Sequence, residues 1–299
     1  MILRDALLLT LSSFLMGSSY VVTKFILKYA SPLMLTGVRF MIVAAIMCPF
    51  FFKWKLPWKK IVASAFIMAF GFQALIVTAV KNLDVATTII CQQMSVPFTC
   101  LLGSLLFKDT LGIRRLIGLI IAFIGMIIVV GGPNVNQVNM AFVLLAISAA
   151  FFYALNNIIL KQVHYVNPNT TIAVGSLISF PFLILMSLVI EDTSLQDLPN
   201  FSFSVWLGIL YMAIPTTIIA FGIWTQMLHT YSVHQIAPFS LLAPIFGVIC
   251  SIIFLGEKLN WNIAIGGLIT ILGIAIINVK GIKINKLFNK LRNLIKPNA

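Results

Sequence analysis

The chain has 299 residues, of which 61% are hydrophobic and only 9% charged, with a net charge of +13. A soluble domain carries about 25% charge to cover its surface, so a water-soluble globule is excluded and most of the chain must meet lipid. Its apolar runs are continuous over about twenty residues and do not alternate, which excludes a transmembrane β-barrel and predicts membrane-spanning helices.

Ten spans are predicted, at 6–26, 32–52, 61–80, 86–107, 112–131, 140–160, 170–190, 204–227, 233–254 and 260–279. The first starts like a signal peptide, with Gly17-Ser18-Ser19 where a cleavage region would be. Its apolar stretch runs on to Ile26, however, and it has a repeat partner, so it reads as a span. It carries Tyr20. The second holds Arg39, the one charge well inside a span, seven residues (~10 Å at 1.5 Å per residue) from the span's end. Snorkelling, or pairing with Asp84 or Glu257, would relieve its cost, and its expected role is structural. The third span contains Gln73. The fourth contains Gln92 and Gln93, which point about 100° apart, and Pro97. Gln93 sits one turn before Pro97, whose missing N–H leaves the carbonyl of residue 93 free.

Gly118 and Gly125 in the fifth span, like Gly266 and Gly273 in the tenth, lie seven apart on one face and predict close packing seams. In the sixth span Tyr153 and Asn157 are four apart and share a face, with Asn156 beside them. The eighth places Trp224 well inside the apolar run, away from an interfacial belt. Ser240 stands four residues before Pro244 in the ninth, repeating the Gln93–Pro97 spacing. Beyond the last span, Ile284, Leu287, Phe288, Leu291, Leu294 and Ile295 recur at helical spacing between basic residues. That stripe fits either a helix lying on an anionic leaflet or a simple topology signal.

The chain is written twice. Asp109 and Glu257 are 148 positions apart, as are Leu111 and Leu259, Gly118 and Gly266, and Gly125 and Gly273. Pro97 pairs with Pro244 at an offset of 147, and the region around Lys24 pairs with that around Lys161 at 137. The expected organisation is a first five-helix repeat over 1–135, a second over 136–281, and a basic tail over 282–299. Five spans per repeat is odd, so the second repeat is inserted upside down. Fifteen Lys and Arg fall on one side of the predicted membrane and four on the other. The basic side is cytoplasmic by the positive-inside rule, which puts both termini there.

Polar groups in mid-span are costly in lipid and mark cavities or interhelical bonds. Gln73, Gln93, Asn156 and Asn157 can each donate and accept hydrogen bonds, which suits a zwitterion without burying a charge. Tyr20, Tyr153 and Trp224 would supply an aromatic wall, with Ser240 as the repeat partner of Gln93. The four cysteines lie inside apolar runs without a Cys-x-x-Cys pair and read as small buried residues. The histidines are scattered and no Asp or Glu lies mid-span. A metal site, an intramembrane active site and a buried carboxylate proton relay are therefore not expected. Coupling would fall to His229, His234 or the substrate. There is no phosphate-binding glycine loop, and no cofactor is implied. The basic residues sit in loops and a tail, so the expected partners are a small-molecule substrate and the bilayer, not nucleic acid.

Three stretches carry a family resemblance: Pro32-Leu33-Met34-Leu35-Thr36-Gly37-Val38-Arg39-Phe40, Ala237-Pro238-Phe239-Ser240-Leu241-Leu242-Ala243-Pro244, and the paired Asp109-Thr110-Leu111 and Glu257-Lys258-Leu259. Over about 6 to 280 the chain resembles the EamA branch of the drug/metabolite transporter superfamily, and within it bacterial exporters of cysteine and O-acetylserine. The resemblance implies ten helices in two inverted repeats, an inner-membrane location, and export of small amino acids or related metabolites by alternating access. A nucleoside-containing metabolite or drug-like compound is the alternative cargo. The chain departs from the pattern at Met16-Gly17-Ser18-Ser19, where such proteins carry Trp-Gly-x-Asn, and at Lys108, where they carry Gly.

Overall fold

The computed structural model describes residues 3–50, 56–107, 112–130, 140–163, 166–191, 201–231, 236 and 239–278. All ten spans form helices. They are α1 (Leu3–Ile26), α2 (Pro32–Ile46), α3 (Trp58–Asn82), α4 (Val85–Gln93 and Ser95–Phe107), α5 (Ile113–Val130), α6 (Met140–Gln162), α7 (Pro168–Ile190), α8 (203–230), α9 (Leu242–Leu255) and α10 (Trp261–Asn278). Eight are long and apolar enough to cross a bilayer, and α2 and α9 are shorter apolar helices. The second span was expected to reach 52, but α2 stops at Ile46 and a single 3₁₀ turn follows at Cys48–Phe50. Pro49 cannot continue an α-helix there. Large apolar side chains such as Leu105, Val189, Phe203 and Trp261 stand exposed along the outside, as a lipid-facing surface requires.

Glycines set the closest contacts. A Cβ on Gly125 would lie 2.7 Å from the Gly266 carbonyl oxygen, and one on Gly273 would lie 2.7 Å from that of Gly118. The two predicted seams are thus one seam, α5 against α10. Gly37 admits Ile184 of α7 against α2, Gly71 admits Phe152 of α6 against α3, and Gly17 lets α1 meet the backbone of α9 at Ala243 and Gly247. The packing is paired throughout: α5 on α10 and α2 on α7 join equivalent helices, while α1 on α9 mirrors α6 on α4, and α3 on α6 mirrors α8 on α1. Two inverted repeats around a pseudo-two-fold axis require this pairing.

Two interruptions stand at equivalent places in the repeats. In α4 the helix is interrupted at Met94 (φ −61°, ψ −14°), and at Leu241 (φ −75°, ψ −14°) the chain enters α9 through the same geometry. Each break lies three residues before its proline, Pro97 or Pro244, both buried. The backbone at Met94 tightens, its N–H bonding to the Cys91 carbonyl at 3.1 Å. The two broken helices meet, with Ile89 of α4 against Gly247 of α9.

Three π-helical stretches were not expected, one of them Ser251–Leu255 at the end of α9. α3 widens to a π-helix over Ile67–Ala74, and α8 does so over Met212–Ala220, around Pro215. In α8 the hydroxyls of Thr216 and Thr217 donate to carbonyls five residues back, at Tyr211 (3.3 Å) and Met212 (2.8 Å). α3 and α8 are repeat partners, and π segments concentrate at functional sites.

Candidate functional site

The π-helical stretch of α3 and the broken α4 carry polar side chains within apolar spans. Gln73, in the π segment of α3, is 8% exposed. Gln93 is the last residue before the α4 break and Ser240 the last helical residue before the Leu241 break, so the repeat equivalence holds in three dimensions. Tyr20 of α1 and Tyr153 of α6 pack on one apolar cluster that includes Phe72, whose ring centroid is 4.9 Å from that of Tyr153. The two phenols are within electrostatic range of each other, and Tyr20 is also within range of Arg39 of α2. Tyr20, Tyr153, Gln73, Gln93 and Asn157 have no hydrogen-bond partner among the described residues, yet their polar atoms are not sealed by protein. Gln92 differs: its Oε1 is fully enclosed and unpaired. Unpaired polar groups in a membrane interior are costly, so these open ones are candidates for contact with a polar molecule.

Some expected members belong elsewhere. Asn156 is 3% exposed, and its Oδ1 accepts from Ser64 Oγ at 2.6 Å, so it ties α6 to α3. Its neighbour Asn157 stays on the Tyr153 face. Trp224 packs with Leu9, Met227 and Ile236. Leu9 and Tyr20 are eleven residues apart on α1, about 16 Å, so Trp224 does not share a wall with Tyr20. Arg39 pairs with neither Asp84 nor Glu257. Its Nε and Nη2 donate to Thr217 Oγ1 at 3.1 and 2.6 Å, and its guanidinium stacks 5.5 Å from the Phe40 ring centroid. Glu257 instead accepts from the N–H groups of Val85 (2.8 Å) and Ala86 (3.3 Å) at the start of α4. The side chains of His229 and His234 lie outside the described residues.

Three contributors had weak sequence signals. Thr217 of α8, bonded to Arg39 of α2, and the Ser18–Tyr211 pair (2.7 Å between hydroxyl oxygens) tie α8 to α2 and α1. Pro215 was the available clue, since a proline within a span loosens the backbone around Thr216 and Thr217.

The arrangement holds neutral hydrogen-bonding groups, one guanidinium and aromatic faces, a set suited to binding and release and lacking any nucleophile–base pair among the described residues. Comparison with known proteins agrees. The chain matches the EamA-like transporter family over residues 3–131 and 140–279. It is 30% identical to a "Probable amino-acid metabolite efflux pump" of Salmonella typhimurium over 294 residues, covering 95% of this chain and 97% of that one. A protein of the same description from Escherichia coli is 29% identical with the same coverage. An uncharacterized transporter of Archaeoglobus fulgidus is 24% identical over 93% of this chain and 98% of its own length. The fold is shared with a crystallised protein at a TM-score of 0.64 and 17% identity, covering 97% and 98% of the two chains. Its ten helices, its duplication and these matches make the chain a membrane transporter, not an enzyme, and a member of the EamA-like transporter family.

Proposed function

We propose that this protein exports small amino acids or related metabolites from a bacterial cytoplasm across the inner membrane by alternating access. The observation that carries the reading is a set of polar groups without hydrogen-bond partners among the described residues, Tyr20, Gln73, Gln93, Tyr153 and Asn157, on helices of both repeats. Amides and phenols can hold both ends of a zwitterion. The names of the Salmonella and Escherichia relatives point to the same class. Rocking one repeat against the other about the α4 and α9 breaks would open the site to each side in turn. In this orientation both termini face the cytoplasm, and the ends of α1, α3 and α7 face outward.

Uptake of labelled amino acids and nucleosides into proteoliposomes, with and without a proton gradient, tests the reading. Amino-acid transport at the expense of nucleosides supports it, and the reverse preference replaces it with the nucleoside alternative. Within the site, Gln93→Leu and Asn157→Leu should each weaken substrate binding by about ten- to a hundred-fold, the loss of one hydrogen bond to a charged group. Equal affinity with a lowered melting temperature would remove both residues from the site.

A further inference from the structure

Arg39 is the outstanding group in this interior. It sits on the face of α2 that lies about 200° from the lipid-exposed Met41, and α2 packs on α7, α8 and α3. Its side chain nonetheless keeps some open surface, being neither fully buried nor exposed. No carboxylate pairs with it among the described residues. A buried cation without a counter-ion is costly, and in transporters it marks the substrate path.

The geometry says which part of the guanidinium is free. Nε–H and one Nη2–H, the side edge of the fork, are both spent on Thr217 Oγ1. That hydroxyl donates its own proton to the Met212 carbonyl at 2.8 Å. A hydroxyl has one donor and two acceptor sites, so Thr217 is saturated and holds the guanidinium in one orientation. Three of the five N–H donors of arginine remain. The unused end of the fork, between Nη1 and Nη2, has the spacing that takes both oxygens of a carboxylate. Among the described residues neither Nη1 nor the Tyr20 hydroxyl has a hydrogen-bond partner, and neither is sealed by them.

We propose that Arg39 is the carboxylate anchor of the transported molecule, its Nη1/Nη2 edge binding both oxygens while Thr217 positions the guanidinium and the Tyr20 hydroxyl supplies a further donor. The substrate class is then a small organic acid, with the amides of Gln73, Gln93 and Asn157 left to hold its other end. This builds on the proposed central site and restricts what it accepts. The same pairing explains how one cation is tolerated in mid-span: substrate supplies the missing charge.

Equilibrium binding to the purified full-length protein tests it, with L-cysteine, L-cysteinamide, 3-mercaptopropionate, cysteamine and a nucleoside as probes. Wild type should prefer L-cysteine to L-cysteinamide by about ten- to a hundred-fold. Arg39→Gln should lose that factor for L-cysteine and hold L-cysteinamide within about twofold. Arg39→Lys, which keeps the charge without the fork, should fall between. Thr217→Val should narrow the acid-to-amide ratio as well, and it carries the test if Arg39→Gln does not fold. An acid-to-amide ratio unchanged in the folded variants overturns the proposal and leaves the amino-acid reading standing. Arg39-dependent binding of 3-mercaptopropionate by a protein that ignores L-cysteine upholds the anchor and overturns the amino-acid reading. Wild-type binding only of cysteamine or the nucleoside overturns the anchor.

Discussion

Asn156 and Asn157 are adjacent, chemically identical and put to different uses. Asn156 is locked to Ser64 and 3% exposed, while Asn157 stays unpaired on the face shared with Tyr153. Asn156→Leu would strand the Ser64 hydroxyl and cost about 1–3 kcal/mol of stability. The expected result is a lower melting temperature with substrate affinity unchanged, the opposite of Asn157→Leu, and both quantities can be read on one purified sample. The acids follow a similar division of labour. Glu257 caps α4, Glu191 caps α2 through the Leu33 and Met34 N–H groups (3.0 and 3.4 Å), and Asp5 accepts from the Tyr231 hydroxyl. Three of the seven carboxylates are therefore committed to helix ends or to a tyrosine. The lack of a mid-span acid thus reflects where carboxylates are useful in this fold, at the exposed N–H groups of helix N-termini.

Among the elements, the tight two-residue connection from α3 to α4 is held from both sides. Lys24 Nζ donates to the carbonyls of Val80, Lys81 and Leu83 (2.9, 3.0 and 2.8 Å) at the end of α3, where the helix dipole is negative. Glu257 caps the start of α4, where the dipole is positive. Asp84 occupies the N-cap position but makes no side-chain cap bond, so a distant residue does that work. Glu257→Ala should cost about 0.5–2 kcal/mol, the usual effect of losing an N-cap. It should also raise amide exchange at Val85 and Ala86 while leaving exchange in α10 unchanged. The α5–α10 seam makes a sharper demand. At Gly125 or Gly273 any Cβ would meet backbone atoms at 2.5 Å, and backbone cannot swing aside as a side chain can. Gly125→Val should abolish recovery of folded protein, whereas Gly175→Ala, with nothing within 4 Å of the new methyl, should leave yield and melting temperature unchanged.

At the scale of the whole molecule, the paired contacts join two equivalent halves with little internal charge to hold them together. The opposed caps and the α3–α4 clamp then weigh more than their number suggests, because they cluster at one end of the bundle. That end is the outer one if fifteen basic residues against four decide the orientation. In a background with the native cysteines replaced, Tyr29→Cys should be labelled from outside intact cells and Trp58→Cys only after permeabilisation. Tyr29 and Trp58 are both exposed, at opposite ends of the bundle, so accessibility does not bias the comparison. The reversed pattern would invert the topology and with it the assignment of export.

Hydropathy, span count, the duplication and the glycine spacing were legible in the sequence, because each is a one-dimensional pattern with a direct local consequence. An apolar run of twenty residues must be a helix in lipid, and a proline must leave a carbonyl unpaired wherever the chain goes. Sequence also narrowed the polar candidates to a few mid-span side chains. Which of them face one another was decided only by tertiary structure. Arg39 finds Thr217 178 residues away, Glu257 reaches Val85 across 172, and Ser64 takes Asn156 out of the site across 92. Trp224 left the aromatic wall for the same reason: a helix sets the angle between neighbouring side chains, but its rotation and height against other helices come from packing. In this chain that packing is governed by the glycine contacts, which allow one approach of each helix pair and so fix which polar faces turn inward.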